Sequence, residues 1–263
     1  NGRITKKSFK NWLFIKSVSK QIFGYFDLCL AQNLETIKYL KDLGAKKIKN
    51  PGNLKFAESS IKISNKISKS QKKFFTKKNI MFCAVSTHPS EEIYCANLFK
   101  KVKKNKNSII IIIPRHIDRS HQIKTELESL NLKVHLHSDK ENINFDTNIY
   151  LVDSYGETKF FLKYCKIVFM GGSLISHGGQ NPIEAARIGC KVLHGPYINN
   201  FKDVYSLLKK NKITKKIDTL KNAEKIFINE IREKNINKKI AKKLKNLGNA
   251  ILRKNLIEIE KQL

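Results

Sequence analysis

Residues 108–113 read Ser-Ile-Ile-Ile-Ile-Ile. A strand with no polar position in alternation has no face to offer to water. It belongs in a sheet covered on both sides, as parallel sheets between helices are. The surrounding sequence agrees. Apolar runs at 80–85, 133–137, 148–152, 167–170 and 190–194 predict further strands. Segments 90–103, 119–130, 157–164, 182–188 and 201–210 carry helical periodicity between them. Strand alternating with helix predicts an α/β fold, doubly wound about a parallel sheet. Residues 220–263 read as helical and Lys-rich, with Ile and Leu at i, i+3, i+4 spacing.

Upstream the pattern is thinner. A short strand is predicted over 27–32 and another over 46–49, the latter ending at the turn signal Pro51-Gly52. Between them 33–43 predicts a helix, with Asn33 as N-cap and Gly44 at its stop. Residues 57–78 are polar and rich in Lys and Ser, and read as a linker or surface helix. Residues 1–55 thus hold about two strands and two helices, too little to bury a core alone. They read as the back half of a first domain, and 56–263 as one complete Rossmann-like domain with C-terminal helices. The chain starts at Asn1, and its two Met, Met81 and Met170, lie far from that start. The expectation is that the beginning of the natural protein is missing.

Composition narrows the function classes. The 263 residues carry 52 Lys+Arg against 22 Asp+Glu, a formal net charge of +30. Of the 52, 46 are Lys and 6 are Arg. Proteins that grip phosphates use Arg freely for its planar fork, so the excess reads first as a solvated lysine surface and second as attraction to an anionic partner. A hydrophobic content of 41% with 15 Phe excludes a disordered basic tail. No apolar run approaches the roughly 18–20 residues that span a bilayer. Cys29, Cys83, Cys95, Cys165 and Cys190 are widely spaced, without a CxxC, and read as buried reduced thiols. His135 and His137 alternate along a strand, and no partner cluster completes a metal site.

In open α/β sheets ligands bind beyond the carboxyl ends of the strands, and four segments follow predicted strands. Ser86-Thr87-His88-Pro89-Ser90-Glu91-Glu92 resembles a capping box, which would occupy Ser90 and Glu91 and leave His88 pointing at the crevice. In Pro114-Arg115-His116, exposed backbone could read a base edge and Arg115 could reach a phosphate; an ordinary charged loop fits the same residues. In Asp153-Ser154-Tyr155-Gly156-Glu157, Gly156 permits a tight turn into a helix. The richest segment is Gly171-Gly172-Ser173 followed by His177-Gly178-Gly179-Gln180-Asn181-Pro182-Ile183-Glu184. Its glycines allow close backbone approach to a ligand, its helix start suits a phosphate, and Glu184 could accept from ribose hydroxyls. A structural turn with Glu184 stabilising the helix start is the plainer alternative. The spacing is not GxGxxG. Together the segments describe a nucleotide held by base, ribose and phosphate, with the acceptor brought by another domain.

These residues resemble the C-terminal two-thirds of bacterial 3-deoxy-D-manno-octulosonic acid (Kdo) transferases, glycosyltransferases of GT-B fold. The resemblance begins with Asn1-Gly2-Arg3-Ile4-Thr5, close to the family's NARLS, and Gly52-Asn53-Leu54-Lys55-Phe56, matching GNLKFD. It runs through the four segments above to GGSLISHGGQNPIEAARIG and Gly195-Pro196 with Asn200-Phe201. It implies inverting, metal-independent transfer of Kdo from CMP-Kdo to the lipid A precursor in lipopolysaccharide synthesis, with no cofactor, at the cytoplasmic face of the inner membrane. It implies that Pro114 and Arg115 contact the cytosine end of CMP. Tyr155, Gly156 and Glu157 contact the nucleotide, and Asn181, Pro182, Ile183 and Glu184 hold ribose and phosphate. Lys55 stabilises the transition state, and His88, Gly171, Gly172, Ser173, Gly178, Gly179 and Gln180 are phosphate or sugar contacts. Gln180 and Ala185 depart from the family's usual His and Pro, and Gln cannot titrate. The family's general base is a glutamate near the start of the first domain, so the 263 residues alone are expected to bind CMP without transferring Kdo. The partners implied are CMP-Kdo, the lipid A precursor and an anionic membrane surface. A GT-B transferase for another nucleotide sugar is the nearest alternative. A basic nucleic-acid-binding module is disfavoured, because aromatic-interleaved basic patches and a helix-turn-helix pattern are lacking.

Overall fold

The computed structural model describes residues 1–57, 68–140, 143–233 and 235–262. The chain packs as two compact units, Asn1–Ser60 with Lys243–Leu263, and Ile61–Lys242. The domain boundary read at residue 55 lies near this division. Residues 243–263, read with the nucleotide domain, group with the smaller unit instead.

In the smaller unit, α1 (Lys6–Phe14) and α2 (Lys16–Gly24) precede a strand–helix–strand piece: β1 (Cys29–Leu30), α3 (Leu34–Asp42) and β2 (Ile48–Lys49). Here the structure has three helices where two were expected. The chain breaks at Ile15, whose backbone leaves the helical region, so residues 6–24 make two nine-residue helices. Asn33 caps α3 as predicted, its side chain accepting the Thr36 N–H at 2.8 Å. β1 and β2 pair in parallel, Cys29 opposite Ile48. Ala31, Leu40 and Ala45 form a small core beneath Ile4, Phe23 and Ile37.

The larger unit opens with α4 (Lys69–Lys77), the described part of the segment read as a linker or surface helix; residues 58–67 lie outside the described residues. Then follow β3 (Asn79–Thr87), α5 (Glu91–Val102), β4 (Ser108–Pro114), α6 (Ser120–Glu128), β5 (Val134–Leu136), β6 (Ile149–Leu151), α7 (Thr158–Leu162), β7 (Ile167–Met170), α8 (Ile183–Ile188), β8 (Lys191–His194), α9 (Lys202–Lys210), β9 (Thr214–Lys216), α10 (Leu220–Ile231) and α11 (Ile236–Glu260), whose residues from Lys243 on belong to the smaller unit. The stretch read as helical from 220 onward is therefore two helices.

The seven strands form one all-parallel sheet in the order β5-β6-β4-β3-β7-β8-β9. β4, the isoleucine run, is buried along its whole length near the middle. Its even positions Ile110 and Ile112 join Phe82, Ala84, Phe169, Phe99, Ile123 and Phe227 in the main core. On the opposite face Tyr150 packs against Phe74, Phe75 and Phe161. Edge strand β9 was not anticipated, because Thr-Lys-Lys carries no apolar alternation; lysines on an edge strand also discourage pairing with another sheet. Cys83, Cys95, Cys165 and Cys190 are buried free thiols, while Cys29 is only half-buried. Burial raises the thiol pKa of Cys95, Cys165 and Cys190.

The chain leaves β3 toward β4 on one side, and β7 pairs on the other. That reversal of strand order puts a crevice beyond the carboxyl ends of β3, β4, β6 and β7.

Candidate functional site

The four segments singled out in the sequence sit at this crevice. After β3, the expected capping box does not form: Ser90 has φ +74 and makes no side-chain cap bond. Glu91 turns inward instead, fully buried. Its Oε2 accepts the N–H of His88 (3.0 Å) and Gly172 (2.7 Å), and its Oε1 those of Ser173 (3.0 Å) and Leu174 (2.9 Å). One carboxylate thus staples the β3 loop to the glycine loop after β7. The two approach so closely that a Cβ on Gly171 would lie 2.2 Å from the Ser86 carbonyl oxygen.

His88 is 6% exposed, beneath a cluster of polar groups. The ring of His177 lies 4.2 Å from it and that of His116 at 6.0 Å, centroid to centroid, and Gln180 Nε2 is 3.5 Å from His88 Nε2. Burial, then the charges of His177, His116, Arg115 and Arg119, push the His88 pKa down to about 4. His88 is therefore neutral at physiological pH and can donate or accept one hydrogen bond.

Pro114 closes β4, and Arg115 extends to the surface while its N–H donates to the Thr87 carbonyl at 3.0 Å. In the glycine loop, the Gly179 N–H donates to Gly172 O at 2.7 Å. Gly178 has φ +100, a backbone conformation that favours glycine, and a Cβ there would push on the Asn200 side chain, 2.6 Å away at Nδ2. Asn181 Oδ1 accepts the Ile183 N–H at 3.1 Å and fixes the entry into α8. Pro182 and Ile183 are buried, which leaves their backbone for any ligand contact. Glu184, half-exposed, pairs with Lys159 Nζ at 3.2 Å.

The turn after β6 is pinned at both ends. Asp153 accepts from the Ser138 N–H (2.9 Å) and hydroxyl (2.5 Å). Glu157 accepts from the Ser154 hydroxyl and lies 2.7 Å from His137 Nε2. Between them Tyr155, 67% exposed, and Gly156 face solvent. Glu157 is itself buried, so its carboxylate is committed to this network.

The structure thus gathers His88, Arg115, Gly171, Gly172, Ser173, Gly178, Gly179 and Gln180 around one corner, with Asn181 to Glu184 leading away from it. The turn 153–157 leads into α7, whose Lys159 reaches Glu184. Lys55, exposed in a short 3-10 turn, belongs to the smaller unit. Sequence reasoning placed His177 and His116 in their segments without giving either a role, and missed Lys159 and the role of His137. His177 was legible in principle, since it stands directly before the Gly178-Gly179 pair. Among the described residues no group of three His, Cys, Asp or Glu side chains is placed to hold a metal ion. Among them, too, no helix is long and apolar enough to cross a membrane.

A parallel sheet with glycine-built loops at its strand-order reversal is a fold found in GT-B glycosyltransferases. Two solved structures share the fold. The C-terminal CMP-Kdo binding domain of WaaA from Acinetobacter baumannii superposes with a TM-score of 0.58 at 22% identity, covering 69% of this chain and 93% of that one. Anabaena HepE in complex with UDP gives 0.52 at 12% identity, covering 97% and 68%. In sequence, residues 1–58 match the family described as 3-deoxy-D-manno-octulosonic-acid transferase (kdotransferase). The Kdo transferase of Rickettsia felis is 32% identical over 206 residues, 78% of this chain and 44% of that protein. That of Aquifex aeolicus is 30% identical over 205 residues, 76% and 52%. The chain is thus similar to Kdo transferases over most of its own length. It spans about half the length of these curated relatives.

Proposed function

We propose that this chain binds CMP-Kdo in its larger unit and serves the transfer of Kdo to the lipid A precursor. The observation that carries the reading is the convergence of segments 114–116, 153–157 and 171–184 at one strand-order reversal. Pro114 and Arg115 take the cytosine end. Tyr155 and Gly156 flank the nucleotide, with Glu157 holding the turn. Asn181, Pro182, Ile183 and Glu184 meet ribose and phosphate, Glu184 exchanging Lys159 for ribose hydroxyls. Gln180, His88 and the glycine backbones face the phosphate and sugar.

The transfer is inverting and metal-independent. The acceptor hydroxyl attacks the anomeric carbon of Kdo as the bond to the CMP phosphate breaks, and its proton passes to a general base. Negative charge grows on the departing phosphate, where a cation would stabilise it. The reaction takes place at the cytoplasmic face of the inner membrane. Support for a peripheral site there comes from the net charge of +30 and from Leu13, Phe14, Ile15 and Val18, exposed in the smaller unit among lysines.

Calorimetric titration with CMP, CDP and UDP tests the reading. CMP should bind most tightly. Tighter binding of UDP, the nucleotide in the HepE complex, would replace it with a UDP-sugar transferase.

A further inference from the structure

One buried polar network in the larger unit has no part in the contacts assigned so far. It starts at α4, where Ser68 and Gln71 form a capping box: the Ser68 N–H donates to Gln71 Oε1 at 2.8 Å. That bond fixes which end of the Gln71 amide is oxygen. Its Nε2 then faces the Tyr150 hydroxyl (2.9 Å), the His137 carbonyl (3.2 Å) and His137 Nδ1 (3.2 Å). The Tyr150 hydroxyl lies 2.7 Å from His137 Nδ1, and His137 Nε2 lies 2.7 Å from Glu157 Oε2. All four residues are buried.

Only one arrangement of protons satisfies every atom. Gln71 N–H donates to the Tyr150 oxygen, Tyr150 O–H to His137 Nδ1, and His137 Nε2–H to an ionised Glu157, which also accepts from Ser154. His137 is neutral and held in the Nε2–H tautomer. A second proton on Nδ1 would oppose the Tyr150 O–H and leave that hydrogen without an acceptor. Burial lowers the His137 pKa in the same sense, against the opposing pull of Glu157 and Asp153. The next residue, Ser138, holds Asp153 at the other end of the turn. Two consecutive residues at the end of β5 therefore grip both carboxylates of the 153–157 turn.

We infer that His137 is a positioning residue for the nucleotide site: with Ser138 it clamps the turn so that Tyr155 and Gly156 are presented to the ligand in a fixed geometry. This rests on the reading that the turn contacts CMP. The groups facing His137 are Gln71 from α4, Tyr150 from β6, Phe161 from α7, Asp153 and Glu157 from the turn, Lys140 from the loop after β5 and His135 from its own strand. A second proton on His137 would break its bond with the Tyr150 hydroxyl and keep the Nε2–H toward Glu157.

The test compares wild type, His137→Gln and His137→Ala, each first shown to be folded by its melting curve. Gln keeps an N–H toward Glu157 and cannot titrate. His137→Ala should weaken CMP binding about tenfold or more, the worth of one charge-assisted hydrogen bond, and His137→Gln should restore most of it. A folded His137→Ala chain that binds CMP like wild type, or a folded His137→Gln chain that binds no better than His137→Ala, overturns the inference. If wild type itself fails to bind CMP, the nucleotide reading falls separately. The clamp is then judged by the 15N spectrum of His137: the Nε2–H tautomer supports it, and an Nδ1–H or doubly protonated ring at neutral pH refutes it.

Discussion

Two loops at the mouth of the parallel sheet are fixed by carboxylates, in opposite senses. In the glycine loop the carboxylate comes from outside: Glu91 on α5 collects N–H groups from Gly172, Ser173 and Leu174. In the turn after β6 the carboxylates are the loop's own: Asp153 and Glu157 take their donors from Ser138 and His137 on the neighbouring strand end. A loop rich in glycine has little side chain to anchor, so it must be held by its backbone. A loop with polar side chains at its ends can be held by those and leave its middle open. The first design leaves backbone N–H groups locked, and the second leaves Tyr155 and Gly156 exposed.

Removing the outside carboxylate should cost most. Glu91→Ala strands four backbone N–H groups, and at about 1–3 kcal/mol for each buried unpaired donor the loss should reach at least about 3 kcal/mol; chemical denaturation measures it. A loss below about 1 kcal/mol would mean that the glycine loop holds its own shape, and the contrast with the turn would disappear. Gly178→Ala should cost about 1–2 kcal/mol from its left-handed backbone alone, and weaken CMP binding through the displaced loop. Because the substitution acts on the glycine loop only, the environment of Tyr155 fluorescence should stay as in wild type.

Acid should loosen both loops together. His88 and His137, like His135 and His194, have pKa values lowered by burial. The unfolded chain takes up these protons near pH 6.5, before the folded chain does. Stability is therefore complete above about pH 6.5 and falls as the pH drops toward the folded-state values, His88 last at about 4. A melting temperature that rises from pH 7 to pH 5 would contradict the neutral, buried placement of these rings. The smallest effect should come from Lys159→Met. Its pair with Glu184 is half-exposed, so stability should stay within about 0.5 kcal/mol of wild type. CMP affinity should be equal or slightly better, since Glu184 no longer exchanges one partner for another.

Much of the larger unit was legible because parallel strands between helices announce themselves by continuous apolar runs, and the isoleucines of β4 do so most plainly. β9 was not, because an edge strand of Thr and Lys has no buried face to write into the sequence. In the site, the glycines after β7 were readable from local backbone chemistry. The role of Glu91 was not: as the first residue of a helix after Ser90 it looks like part of a cap, and only the approach of Gly172 to Leu174, more than eighty positions later, gives its carboxylate different partners. His137 failed for the same reason. Alternation with His135 marks a strand, while its partners Gln71 and Glu157 come from segments that sequence spacing cannot bring together.

The close approach at Gly171 has a sequel at Gly195, where a Cβ would stand 2.1 Å from the carbonyl oxygen of Ser173. Backbone meets backbone at both points, so the floor of the crevice offers mutation nothing to work with. On the proposed nucleotide reading, any drift toward a different base or sugar has to be written in the walls, at Arg115, Tyr155, His177 or Gln180, where side chains have space to change.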